Sequence, residues 1–177
     1  MTGFYRFGAL LAVTALLGAC SPLRAPEAGN LVVSLDVPYY EQQRRDDCAS
    51  AALASALAYA NAPVPPAQID EAVYDPRLDG ALLADLENFS RELGMETRSG
   101  RGNLETLRGI VREGHPVIIP IDMGWGPLRR PHYLVIFGYG KSDFAAHAGT
   151  RADIRITAEE LQSRWRRMGR LYLYVKG

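Results

Sequence analysis

The chain has 177 residues, 47% of them hydrophobic, enough to bury the core of one compact domain and too few for two. Twenty Lys+Arg balance twenty Asp+Glu, so the formal net charge is zero. That balance gives no electrostatic footprint for nucleic acid or for an anionic membrane surface, and nucleic-acid binding is set aside.

The first nineteen residues read as a unit separate from the rest. Met1 to Ala19 carries one basic residue, Arg6, and then an apolar run from Phe7 to Leu17, shorter than the roughly 20 residues a membrane-spanning helix needs. This is the pattern of an export signal. Leu17-Gly18-Ala19-Cys20 resembles the bacterial lipobox, which implies removal of residues 1–19 and lipidation of Cys20, with Ser21 beside it pointing to the outer membrane. Residues 20–34 are small, Pro-containing and aperiodic and suit a tether, leaving 35–177 as the domain. With Cys20 lipidated, Cys48 is a lone free thiol in an exported protein, and such a thiol asks for an explanation.

The elements follow in order. Leu31 to Pro38 alternates as a short edge strand. Gln42 to Asp47 is polar, and from Cys48 to Ala60 the chain is rich in Ala, Leu and Ser, which predicts a buried helix with Cys48 in its first turn. Asn61-Ala62-Pro63 ends it, and a second short helix runs from Pro66 or Ala67 to Tyr74. Leu82, Leu83, Leu86, Phe89 and Leu93 fall at helical spacing before the stop at Gly94. A short strand at 95–98 precedes a helix that Asn103 caps and Gly114 stops. The second half turns to strands: Val117 to Ile121, His132 to Gly138, Phe144 to His147 returning antiparallel after the turn at Gly140 to Asp143, and Arg151 to Ile156. Thr157-Ala158-Glu159-Glu160 opens a last helix through Arg167, and Leu171 to Val175 closes the chain as a strand. Helices first and a mostly antiparallel sheet after them define an α+β fold.

Three positions could carry chemistry together. Cys48 at a helix start sits among unpaired backbone N–H groups, which lower a thiol from its usual value of about 8.5 and favour thiolate. A thiolate nucleophile needs an imidazole partner. Of three histidines, His132 stands first on the strongest strand after a Gly/Pro/Trp loop, whereas His115 precedes Pro116 as a loop residue. The orienting third residue is open: His147 is the polar side chain nearest the position opposite His132, with Asp143 and Asp153 as fallbacks. Gln42, six residues before Cys48, is first choice for the oxyanion donor and Gln43 second. Trp125 and its loop are expected to border the substrate cleft. Gly140-Lys141-Ser142 lacks the first glycine of a phosphate loop, and Cys48, His132 and His147 as a metal site lack any paired ligand spacing, so neither a cofactor nor a metal is expected.

Val-Pro-Tyr-Tyr before the polar junction, Gln42 ahead of Asp47-Cys48, the Ala-rich helix and the His132-Tyr-Leu-Val-Ile-Phe-Gly-Tyr strand together resemble the double-glycine, bacteriocin-processing cysteine peptidases. Ala72-Val73-Tyr74, Gly114-His115-Pro116-Val117 and His147-Ala148-Gly149-Thr150 are similar to an exported lipoprotein branch of that superfamily. The resemblance spans roughly 37–177. It implies a papain-like fold, Cys48 as nucleophile, His132 as base, Gln42 at the oxyanion site and a peptide or protein substrate in the cell envelope. Two departures stand out: Ala49-Ser50 follows the cysteine where the family has Gly-Pro or Gly-Ala, and His147 stands where it has Asp. They leave a second expectation open, a non-catalytic peptide-binding or scaffolding domain that keeps the fold.

Overall fold

The computed structural model describes residues 30–177; the expected signal segment, Cys20 and most of the tether lie outside them. β1 (Val33–Ser34) leads to α1 (Cys48–Tyr59), α2 (Pro66–Val73) and α3 (Leu83–Glu92). Then come β2 (Glu96–Arg101), α4 (Leu104–Arg112), β3 (Val117–Asp122), β4 (Pro131–Tyr139), β5 (Asp143–Ala148), β6 (Arg151–Thr157), α5 (Ala158–Arg166) and β7 (Leu171–Lys176). The strands form one antiparallel sheet in the order β2-β7-β3-β4-β5-β6, with β1 added to the far end of β4. This is the expected α+β architecture. The N-terminal strand is shorter than its alternation predicted: Val33 and Ser34 pair with Tyr139 and Gly138, and the N–H groups of Val32 and Leu35 donate to the Tyr139 and Phe137 carbonyls at its ends.

Both faces of the sheet are covered, which is why its central strands read as unbroken apolar runs. Tyr133, Val135 and Phe137 of β4 join Leu53 and Leu57 of α1, Ile69 of α2 and Leu86 of α3 in one core. The alternate residues Leu134 and Ile136 join Leu107 of α4, Leu161 and Trp165 of α5, and Phe144 in the other. Residues Ala49 to Leu57 of α1 are all buried; the alanines let the helix axis approach the sheet closely, and a polar outer face would have nowhere to go. Asn61, at φ 59°, ends α1 in the left-handed conformation, with Ala62 N–H donating to the Leu57 carbonyl.

The remaining helix ends follow their capping chemistry. Asn103 accepts from Thr106 N–H at 2.9 Å in a reciprocal capping box, and Thr157 accepts from Glu160 N–H at 3.2 Å. Because neighbouring strands are antiparallel, one end of the sheet gathers the last residues of β2, β3 and β5 and the first of β4, β6 and β7. His132 lies at this end. His115, stacked on Tyr174 with ring centroids 5.1 Å apart, lies at the other. Among the described residues no helix is long and apolar enough to cross a membrane.

Candidate active site

Cys48 is the first residue of α1, and the loop before it is tied down by its neighbour. Asp47 occupies the N-cap position but does not cap α1. Its buried carboxylate instead turns back to accept from the N–H groups of Gln43 at 3.0 Å and Arg44 at 3.1 Å. That fold-back fixes the loop that carries Gln42. Arg44 reaches Asp46 and Asp70, and Ser50 donates to Asp70 at 3.0 Å, so the start of α1 is braced against α2.

The thiol faces β4, where the main-chain N–H of Tyr133 interacts with its sulfur. Cys48 lines a small cavity of about 10 Å³, at most one water, with Tyr39, Tyr40, Tyr133, His147 and Gly149 among its walls. Helix-start reasoning predicted a lowered thiol. The structure gives the opposite: burial pushes Cys48 up from its ordinary value and Asp47 adds to this, outweighing the N–H groups of Tyr133, Cys48 and Ala49.

His132 is the second residue of β4, opposite Ile121. Burial holds its imidazole down at about 4, and the positive charges of Arg130 and Arg151 reinforce the shift. Gly149, at φ +56°, is the point where the site converges. A Cβ there would stand 2.1 Å from Gln42 Oε1 and 2.8 Å from His132 Cε1, so only glycine lets those side chains close in. The Gly149 carbonyl accepts from the Tyr39 hydroxyl at 2.8 Å and from Gln42 N–H at 3.2 Å. Gln42 and His132 thus meet at Gly149, which also walls the cavity of Cys48. The Gln42 amide at present donates to the Arg44 carbonyl at 2.6 Å. Gln43 donates to the Glu41 carbonyl on an exposed surface.

His147 does not take the third position. It pairs with Val135, on the sheet face that packs α1, whereas His132 shares the alternate face with Leu134 and Ala148. Its two ring nitrogens are engaged elsewhere: Nε2–H donates to the Val37 carbonyl at 2.9 Å, and Nδ1 accepts from Asp153 N–H at 3.3 Å. The Asp153 carboxylate is 79% exposed and stands 3.8 Å from the same Nδ1, so it too belongs to His147. Asp143 is buried at the far end of the hairpin, ion-paired with Arg155. The strand residue that shares His132's face is Ala148, which has no proton acceptor. Among the described residues no group of three His, Cys, Asp or Glu could hold a metal, and the doubly engaged His147 is not free to join one.

The loop from Met123 to Arg130 was expected to border the cleft. Its root is Asp122, whose side chain is fully buried. Burial alone would raise this carboxyl, but the N–H groups of Arg130 and Gly124, at 2.9 and 2.8 Å, and the Arg167 guanidinium together hold it below the usual range. Trp125 at the loop's outer turn is 86% exposed. The loop's other end, Arg129 to Pro131, is what lines an open groove of about 630 Å³ together with Gln42, Arg45, Asp46, Leu78, Asp79 and His132.

A helix-start cysteine packed beside a histidine-bearing strand of an antiparallel sheet, with a glutamine just upstream, is the arrangement of papain-like cysteine peptidases. Residues 36–173 match the Peptidase C39 family, and the chain belongs to it. Solved structures agree on the fold. The peptidase domain of Streptococcus ComA, a bifunctional ABC transporter, is 22% identical with a TM-score of 0.65 over 78% of this chain and 96% of that one. A C39-like peptidase from Bacillus anthracis is 18% identical with a TM-score of 0.68 over 82% and 97%. A double glycine motif protease from an AMS/PCAT transporter, solved with a leader peptide, is 22% identical with a TM-score of 0.67 over 82% and 96%. Among curated proteins no match was found.

Gly149, Tyr39 and Asp47 are the site residues that reading the sequence for chemistry did not assign. Asp47 stands next to Cys48, and a glycine two residues past a strand histidine is visible in the sequence, but its role needs the β4–β5 register to be seen.

Proposed function

We propose that the protein is a lipid-anchored thiol peptidase of the cell envelope, held at the outer membrane through Cys20 and acting on a peptide or protein substrate. The observation that carries this reading is the convergence of Gln42 and His132 on Gly149 beside the Cys48 cavity. Cys48 Sγ attacks the peptide carbonyl as its proton passes to His132, and the Gln42 amide turns from the Arg44 carbonyl toward the developing oxyanion. His132 then protonates the leaving amine, and water resolves the thioester with His132 again as base.

At neutral pH the resting pair is a neutral thiol and a neutral imidazole. With the thiol raised above its ordinary value and the imidazole lowered to about 4, proton transfer from Cys48 to His132 at rest is uphill. Bound substrate has to narrow that gap. The peptide character of the substrate is supported by the leader peptide held by the transporter protease that shares the fold.

The second reading, a peptide-binding domain without turnover, is favoured by the apolar Ala148 on His132's face and by the raised thiol. The purified chain incubated with a mixture of unstructured peptides separates the two by mass spectrometry. Cleavage that disappears in Cys48→Ala and in His132→Ala supports the peptidase; intact peptides retained by the unaltered chain and by Cys48→Ala alike would support the binder. Anchoring is tested by Cys20→Ala, which should move the protein out of the membrane fraction.

A further inference from the structure

The zero net charge conceals a local excess at the site. The groove that carries Gln42 and His132 is also lined by Arg45, Arg129 and Arg130, against Asp46 and Asp79. Asp46 is already held by Arg44 and hydrogen-bonded by Tyr74. Arg129 donates to the Arg167 carbonyl and stands 3.9 Å from buried Asp122. Arg130 and Arg45 have no carboxylate within ion-pair distance among the described residues. Neither has Arg151, which lies opposite Ala148 in the sheet register, directly across from the residue that shares His132's face. Arg130, in the loop just before β4, lines the groove beside His132, Arg151 stands at the start of β6 across from Ala148, and the charge of both reaches His132. On His132's face the neighbouring strand presents Ala148 and no carboxylate, while guanidinium groups stand nearby.

We propose that Arg130 and Arg151 form a specificity wall that selects peptides carrying an acidic side chain near the bond to be cut, the substrate supplying beside His132 the carboxylate that the protein lacks. The inference rests on the peptidase reading above and adds to it a substrate class. A carboxylate laid along this wall pairs with two guanidinium groups, and Arg offers the forked donors that match it. Both arginines are exposed, so each contact is screened and gives roughly threefold, and two together give on the order of tenfold.

The test uses the purified full chain and peptides that differ only by Glu or Gln, moved through the three positions on either side of the cleaved bond. At one position kcat/KM for Glu should exceed that for Gln by about tenfold at low salt, with the ratio shrinking toward one in high salt. Arg130→Glu should turn the ratio below one, a readout that a general loss of structure would not produce. If no peptide is cleaved, fluorescence anisotropy of the same peptides on Cys48→Ala gives the ratio from binding alone, so failure of the peptidase reading is separable from failure of this one. A Glu/Gln ratio near one at every position, or a ratio unaltered by Arg130→Glu, would overturn the proposal. A ratio near one with Arg130-dependent sedimentation on phosphatidylglycerol vesicles would also overturn it, and would assign these arginines to a membrane surface.

Discussion

The β4–β5 hairpin carries two histidines on opposite faces, and they are opposite in every respect that matters for chemistry. His147 lies on the face that packs α1; both ring nitrogens are satisfied, and the rings of Phe137 and Tyr39 stand 4.5 and 5.2 Å away. His132 lies on the other face at the strand's open end, beside a groove and between guanidinium groups, with burial and charge but no hydrogen bond shifting its imidazole. One imidazole is a pin that ties the chain at Val37 to the bulge between β5 and β6; the other faces a groove and is, in the proposed reaction, the base. Two residues of the same type in one hairpin acquire separate roles through the parity of the strand alone.

The sharpest break of this comparison is catalytic. Cys48→Ala should reduce peptide cleavage to background, and His132→Ala should lower kcat/KM by about 10²- to 10⁴-fold while leaving the urea midpoint nearly unchanged. Gly149→Ala should come next, with a loss of about 10²-fold, because its Cβ would displace Gln42 and His132 from a conformation that already needs positive φ. His147→Ala should do the reverse of His132→Ala: it leaves the Val37 carbonyl and the Asp153 N–H unpaired in a buried site and should cost about 2–4 kcal/mol in urea unfolding.

Ala148→Asp sharpens the comparison from the other side. It sets a carboxylate on His132's face, opposite Leu134, and should raise kcat several-fold, move the His132 proton resonance titration upward, and lower stability by about 1–2 kcal/mol for the buried charge. The most gradual effect is on pH dependence. An imidazole that titrates near 6.5 unfolded and at about 4 folded binds more protons in the unfolded state between those values, so stability should fall as pH drops through that window and level off below it. His132→Asn should flatten that slope in urea titrations at successive pH values, and His147→Ala should not, if the two faces are as distinct as their contacts.

Much of this was readable before any coordinates. The helices and strands follow from the spacing of Leu82 to Leu93, the caps at Asn103 and Thr157, and the apolar run at Val117 to Ile121, because local propensity and burial agree there. Cys48, His132 and Gln42 could be singled out because each stands at the end of such an element. The error over His147 came from counting residues along the chain when the register decides the face: it pairs with Val135, and a one-residue offset reverses the side. The electrostatics were hidden for a different reason. A helix start lowers a thiol, but how deeply Tyr133 and Tyr40 bury Cys48 is a property of packing across more than eighty residues of chain, and it outweighs the local term.

The same burial that withholds the thiolate has a consequence for survival in air. The ionised sulfur is the form that attacks peroxides and disulfides, and oxidation to sulfenic acid follows thiolate character and exposure. A sulfur kept protonated beside Tyr39, Tyr40 and Tyr133, in a space that admits at most a water, should be oxidised more slowly by peroxide than a free cysteine thiol. Its activity would then be spared for the moments when substrate, rather than oxidant, opens the way to it.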